Sequence, residues 1–417
     1  MLQEYKLVLQ NKRFLYLWTS QITSQLSINI MNFVFLIWLY DHTGSAISTS
    51  FLWVAYSLPG ILFGPFASAT VDLVDRRKML IATNLLQSLT ILLYALTHQG
   101  NIFLLFEVVF IYSLLNQFYV PAESASLPSL LPKGKLPQGI SLFFLTQQGS
   151  LVLGFGVAGF ILALLGFETT LLICAFLLFV AFLSSLFLPQ LTTGNELPRT
   201  FESAVTGFFG KIVEGYNFIK GERKVLAPFL VLIIFQVLVQ VGTIAVPSIA
   251  KELLNLSLYT AGVYILVPAG IGAITGIIIL PKLIANGWRK KRVIDNSLLL
   301  VGVFLFLFTF IIPLFPYVVR VISTFISFIT LGLAFVGVTI PSQTFLQEST
   351  PKELRGRVFG NFWFLVTVAS VVPVIFSGSI IEVLGIRILL LMFSLLSVST
   401  YFLSRRFGDS FLNNGTK

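Results

Sequence analysis

The sequence predicts an all-α membrane protein: twelve transmembrane helices forming two pseudo-symmetric six-helix bundles, with both termini on the cytoplasmic side. Three observations predict it. Twelve apolar stretches of about 20 residues recur along the chain, the length that spans the ~30 Å hydrocarbon core of a bilayer, where only a helix satisfies its own backbone. The 417 residues are 56% hydrophobic and 11% charged, with 42 Phe, too little charge to cover a water-soluble surface. Of the 27 Lys and Arg, 24 fall in alternate gaps between the stretches, and Lys and Arg are retained on the cytoplasmic side.

The stretches run at roughly 14–39, 47–70, 79–97, 102–120, 139–165, 170–188, 226–249, 258–283, 294–312, 317–340, 358–383 and 388–404. Spans 4 and 10 end at 120 and 340, just before loops that open on Pro121 and Pro341. The basic gaps are the N-terminal segment, the 2–3, 4–5, 8–9 and 10–11 loops, the central segment and the C-terminal tail. Only Lys251, Arg320 and Arg387 lie elsewhere. The division is therefore 1–188, an N-terminal six-helix bundle; 189–225, a cytoplasmic linker; 226–405, a C-terminal bundle; and 406–417, a cytoplasmic tail. In the linker, Phe201, Val205, Phe208, Ile212, Tyr216 and Ile219 recur at three- and four-residue steps, the stripe of an amphipathic helix lying along the inner membrane surface or the bundle.

The halves repeat. Gln21 and Gln25 of span 1 recur as Gln236 and Gln240 of span 7, and the loop PAESASLPSLLPKGKL after span 4 has a weaker counterpart, PSQTFLQESTPKELRG, after span 10. Paired six-helix halves place a substrate site at their interface near the midplane, with access alternating as one half rocks on the other.

The 2–3 loop is the strongest local motif. Gly64, Pro65 and Ala67 precede Asp72, then Asp75, Arg76, Arg77 and Lys78. Acids followed by a basic cluster on a short cytoplasmic loop can make charge-assisted hydrogen bonds to neighbouring helix ends. Bonds held in one conformation and broken in the other make a gate, and we assign gating to Asp72, Asp75, Arg76 and Arg77. The counterpart GWRKKR at 287–292 has no acid and reads as an anchor. The pattern GP-x-A-x4-D-x2-DRRK resembles the signature loop of the major facilitator superfamily, in its macrolide-efflux and enterobactin-export branch. NKRFLYLWTSQITS, PAESASLPSLLP, VEGYNFIKGERKVLAP and ELRGRVFGNFW agree along the chain. The resemblance implies the major facilitator fold and secondary active transport, usually proton-driven export. Two positions depart from it: Leu73 stands where the family has Arg, and Phe155, within Gly154-Phe-Gly156-Val-Ala-Gly159, stands where proline is expected. These glycines also suit close helix packing.

Polar side chains within spans mark the expected cavity. Gln21, Gln25, Asn29 and Asn32 lie within one quadrant of span 1, and each amide costs several kcal/mol if it faces lipid. Tyr112, Asn116 and Tyr119 make a similar stripe on span 4, and Gln236, Gln240 and Thr243 on span 7. Glu107 and Arg320 sit at matching outer depths of spans 4 and 10; intramembrane charge points to function, and we assign them proton coupling as a pair across the outer vestibule. Asp41 and Glu382 lie at outer helix ends, where solvation accounts for them.

The excluded classes are as informative. No G-x4-G-K-[ST] occurs, so ATP does not drive the protein directly. His42 and His98 are far apart, no residues have metal-ligand spacing, and Cys174 is the only cysteine. The expectation is no enzyme, no cofactor, no metal and no nucleic acid; the basic clusters are juxtamembrane and meet lipid headgroups. No cleavable signal peptide is expected. The predicted function is proton-coupled export of an amphipathic or hydrophobic small molecule by a monomer in a bacterial cell membrane. The alternatives are an exporter or flippase of a siderophore or lipid-like metabolite, and a non-transporting receptor or scaffold.

Overall fold

A computed structural model describes residues 2–98, 100–132, 134–191, 201–351 and 354–412. Among these residues every regular element is helical. In order they are α1 (Leu2–Leu9), α2 (Lys12–Thr43), α3 (Ala46–Leu73), α4 (Arg76–Thr97), α5 (Ile102–Leu130), α6 (Leu136–Leu186), α7 (Phe201–Gly221) and α8 (Arg223–Ile244). There follow the short α9 (Val246–Ser248), α10 (Val267–Ala285), α11 (Lys290–Phe310), α12 (Tyr317–Ser349), α13 (Arg355–Leu384) and α14 (Ile386–Leu412). Ten helices are long and apolar enough to cross a membrane, eleven if α8 and the bent segment Val246–Leu253 form one span. Large apolar side chains such as Leu96, Phe176 and Phe376 lie well over half exposed on their outer faces, as suits lipid and not water.

Several expected boundaries move. Span 4 does not stop at Pro121, nor span 10 at Pro341: α5 and α12 run nine and eight residues further, to Leu130 and Ser349. Packed neighbours and local adjustments make a proline tolerable inside a membrane bundle. Spans 5 and 6 are two helices joined across a kink within the 51-residue α6, and they break where the sequence places the gap between them. At 1.5 Å per residue α6 would reach ~77 Å if straight, more than twice the hydrocarbon core. It turns at Gly166 (φ 79°, ψ 173°), and α13 and α14 meet likewise at Gly385 (φ 83°, ψ 158°). Only glycine adopts that backbone readily.

The chain divides into two compact units, residues 1–39 with 54–210, and residues 40–53 with 211–417. In unit 1, Phe14 and Leu17 of α2, Leu80 of α4, Tyr119 and Leu127 of α5 and Phe143 of α6 share one apolar core. Gly154 lets α6 close on α2; a Cβ there would stand 2.6 Å from that of Asn29. In unit 2, α10 and α12 cross with their backbones in contact. A Cβ on Gly272 would lie 1.9 Å from the Ile329 carbonyl oxygen, and one on Gly332 1.9 Å from that of Ala269. This is the small-residue packing that membrane helices use in place of a hydrophobic drive. The linker helix forms as α7; Ile219 is buried against Val225 and Phe229, while Tyr216 is exposed. The side chains of Phe201, Val205, Phe208 and Ile212 lie outside the described residues.

Candidate functional site

The 2–3 loop is built from a helix start and two helix ends. Asp75 caps α4: its Oδ1 accepts from the Arg77 amide at 2.9 Å and from the Leu191 amide at 3.2 Å. The Arg76 amide donates to the Leu191 carbonyl at 3.4 Å, tying the chain that leaves α6 to the start of α4. Arg76 Nη1 donates to the Ala125 carbonyl in the last turns of α5, at 2.8 Å. Arg77 Nη2 donates to the Leu186 carbonyl that ends α6, at 2.7 Å. Leu186 is the last residue of α6, so its carbonyl has no intrahelical partner and carries the negative end of the helix dipole, which suits a guanidinium. Three of the four loop residues thus converge on helix ends of unit 1; the Asp72 side chain lies outside the described residues.

The counterpart loop in unit 2 is not a bare anchor. Lys290 Nζ pairs with Glu348 Oε2 at 2.5 Å, an acid supplied by α12 and not by the loop itself. Asp295, buried one turn into α11, accepts from Ser404 Oγ at 2.5 Å.

The amide stripe of α2 is divided. Gln21 is buried and its Nε2 donates to the Phe143 carbonyl of α6 at 3.3 Å, while Asn29 Nδ2 returns to the Gln25 carbonyl at 2.8 Å. Gln25 and Asn32 are half-buried, and the Tyr56 hydroxyl of α3 lies beside the Asn32 side chain. On α5, Tyr112 and Tyr119 are enclosed within unit 1; Gln87 Nε2 of α4 donates to the Tyr112 carbonyl at 3.4 Å. On α8, Gln236 is buried and Gln240 half-buried, and Thr243 Oγ1 bonds its own helix at Val239. Several polar atoms remain buried with no hydrogen-bond partner: Gln21 Oε1, Ser24 Oγ, Tyr112 Oη, Asn116 Oδ1 and Gln240 Oε1. These five leave unused capacity within the spans.

Glu107 is exposed on α5 in unit 1. Arg320, in unit 2, is half-buried, with its guanidinium carbon 5.9 Å from the Tyr317 ring. Two acids expected at outer helix ends are more than solvated. Glu382 Oε2 accepts from Ser45 Oγ (2.8 Å) and the Ile47 amide (3.3 Å), capping the start of α3, and Asp41 Oδ2 accepts from the Tyr259 hydroxyl at 3.3 Å. The expectation of solvation missed them because their partners lie 218 or more residues away.

Besides Asp295, a second buried acid escaped the sequence reading altogether. Glu123 is 4% exposed, and its Oε1 accepts from the Tyr119 hydroxyl at 2.7 Å. The signal was present: 112, 116, 119 and 123 continue one helical stripe, but ending span 4 at Pro121 placed Glu123 in a loop.

The Major Facilitator Superfamily profile matches residues 17–373. The chain is 24% identical over 359 residues to YfiS of Bacillus subtilis (strain 168), described as an uncharacterized MFS-type transporter, covering 82% of this chain and 80% of that one. It is 30% identical over 129 residues to Macrolide efflux protein A of Streptococcus pyogenes, 30% of this chain and 31% of that protein. Among solved structures it resembles the nucleoside transporter NupG (TM-score 0.74, 14% identity, 94% of this chain and 98% of that one). It also resembles the POT family transporter PepTSo (TM-score 0.73, 11% identity, 97% and 99%). At these identities the structural likeness shows the fold.

Proposed function

Because the chain belongs to the Major Facilitator Superfamily, a class of membrane transporters and not of enzymes, we propose that it exports an amphipathic or hydrophobic small molecule across the bacterial inner membrane, coupled to protons. In this reading α6 supplies two spans and α8 with its bent continuation one, giving twelve, with both termini cytoplasmic. The two halves alternate access, and the contacts of Asp75, Arg76 and Arg77 hold one state of the gate. Glu107 and Arg320 are the proposed coupling residues of the outer side, and Gln21, Gln25, Asn29, Asn32, Tyr112, Asn116, Gln236, Gln240 and Thr243 the proposed polar lining.

The observation that carries the cargo class is the chemistry of the in-span polar atoms. Apart from Arg320 Nε, the unpartnered buried atoms Gln21 Oε1, Ser24 Oγ, Tyr112 Oη, Asn116 Oδ1 and Gln240 Oε1 are amides and hydroxyls with unused hydrogen-bonding capacity, which suits a cargo of little fixed charge. The partial likeness to Macrolide efflux protein A supports the same class.

The test is flux into proteoliposomes under an imposed pH gradient, with erythromycin, ethidium and a catecholate siderophore as probes and protein-free liposomes as control. Erythromycin or ethidium should move in a gradient-dependent, protonophore-sensitive way, and Glu107→Gln should abolish that coupling. Siderophore flux alone would favour the siderophore alternative. Binding without flux of any probe would favour a receptor.

A further inference from the structure

Glu123 is enclosed in unit 1 and has no cation paired with it among the described residues. Tyr119 is its sole hydrogen-bond partner among the described residues, and Tyr119 is itself fully enclosed, with the hydroxyls of Ser20 and Ser24 from α2 beside it. Ser24 Oγ is buried with its hydrogen-bonding capacity unused. Three charged or titratable groups on the packed elements are placed away from Glu123, and the Asp72 side chain lies outside the described residues. Arg76 at the start of α4 gives its guanidinium to the Ala125 carbonyl, Tyr112 lies three turns back along α5, and Cys174 of α6 lies against Ser27.

Two features distinguish this arrangement from a structural ion pair. A guanidinium or ammonium beside the carboxyl would hold it ionised throughout; a tyrosine does not. The Tyr119 hydroxyl donates to a carboxylate and can accept from a carboxylic acid, turning its own hydrogen toward Ser20 or Ser24 in the second case. One hydrogen bond therefore survives in both protonation states. An unpaired buried carboxylate costs several kcal/mol, and a bound proton removes that cost. The second feature is its asymmetry. With Pro121 matched to Pro341, the position of Glu123 is taken in the C-terminal half by Gln343, an amide that exchanges no proton.

We propose that Glu123, with Tyr119, is a proton-binding site of this transporter, a role that rests on the proton coupling proposed above. The step is uptake of one proton at a carboxylate oxygen and its later release; no other bond forms or breaks.

The full-length protein in lipid nanodiscs, studied by infrared difference spectroscopy between acid and alkaline pH, tests the site independently of transport. The wild type should show a carboxylic C=O band that is absent in Glu123→Gln and shifted in Tyr119→Phe. In proteoliposomes with erythromycin as probe, Glu123→Gln should lower pH-gradient-driven flux by about 5- to 150-fold, the range of typical coupling between sites. A band that persists in Glu123→Gln, or wild-type gradient-driven flux in that variant, overturns the proposal. If Glu123→Gln does not fold, an unshifted band in Tyr119→Phe overturns it. Absence of gradient-driven erythromycin flux in the wild type would count against the transport reading, while the infrared band still decides whether Glu123 binds a proton.

Discussion

Asp75 joins two roles that substitution can separate. As the cap of α4 it satisfies the Arg77 amide, and as a carboxylate it also holds the Leu191 amide. Asparagine caps a helix as well as aspartate, whereas alanine loses about 1 kcal/mol. Asp75→Ala should therefore lower thermal stability in detergent, read by tryptophan fluorescence, and Asp75→Asn should not. If the charge serves the gate, Asp75→Asn should still slow transport. The loop residues were legible because their spacing is local and their chemistry is carried by adjacent positions. Glu123 was not, although its stripe with Tyr112, Asn116 and Tyr119 is regular. The expected span ended just before Pro121, two residues upstream, and the packing that carries a helix past a proline comes from distant segments. Glu382 was misjudged for a related reason: its ligands, Ser45 and the Ile47 amide, are remote in sequence.

At the scale of elements, glycines decide how closely helices approach. In unit 2, Gly272 and Gly332 allow α10 and α12 to touch backbone to backbone. A side chain at either point meets a carbonyl that cannot move without shifting its helix. Gly272→Val and Gly332→Val should each destabilise by about 1–3 kcal/mol or more, seen as loss of the monodisperse peak in detergent size-exclusion chromatography. Gly149→Ala and Gly242→Ala, where an added Cβ meets nothing within 4 Å, should elute as wild type. The Gly-rich run of span 5 was expected to pack closely, and Gly154 does so against Asn29. The break between spans 5 and 6 was legible, since the gap at 166–169 holds the kink at Gly166. Apolar run lengths locate bilayer crossings, and the turn at Gly166 depends on a single backbone conformation. By contrast, GWRKKR reads as an anchor until α12 brings Glu348 to Lys290.

For the whole molecule, the proposed topology has a direct test, because the single cysteine, Cys174, is fully buried. With a membrane-impermeant maleimide on intact cells, the native chain should stay unlabelled. Glu168→Cys, at the exposed turn of α6, should label from outside. Asn286→Cys, exposed between α10 and α11, should label only after permeabilisation. The opposite pattern would reverse the orientation. The helical class, the membrane environment and the superfamily were determined by the sequence alone. Each rests on quantities that add up locally: the length of an apolar run against the bilayer thickness, the scarcity of charge, and a motif of contiguous residues. The tertiary structure alone decided that Glu123 is enclosed with Tyr119 and, among the described residues, no cation, that Arg76 and Arg77 end on the carbonyls of α5 and α6, and that Glu348 answers Lys290. Those pairings depend on which faces of distant helices meet, and in spans that are apolar on most sides, hydropathy does not say which face meets which.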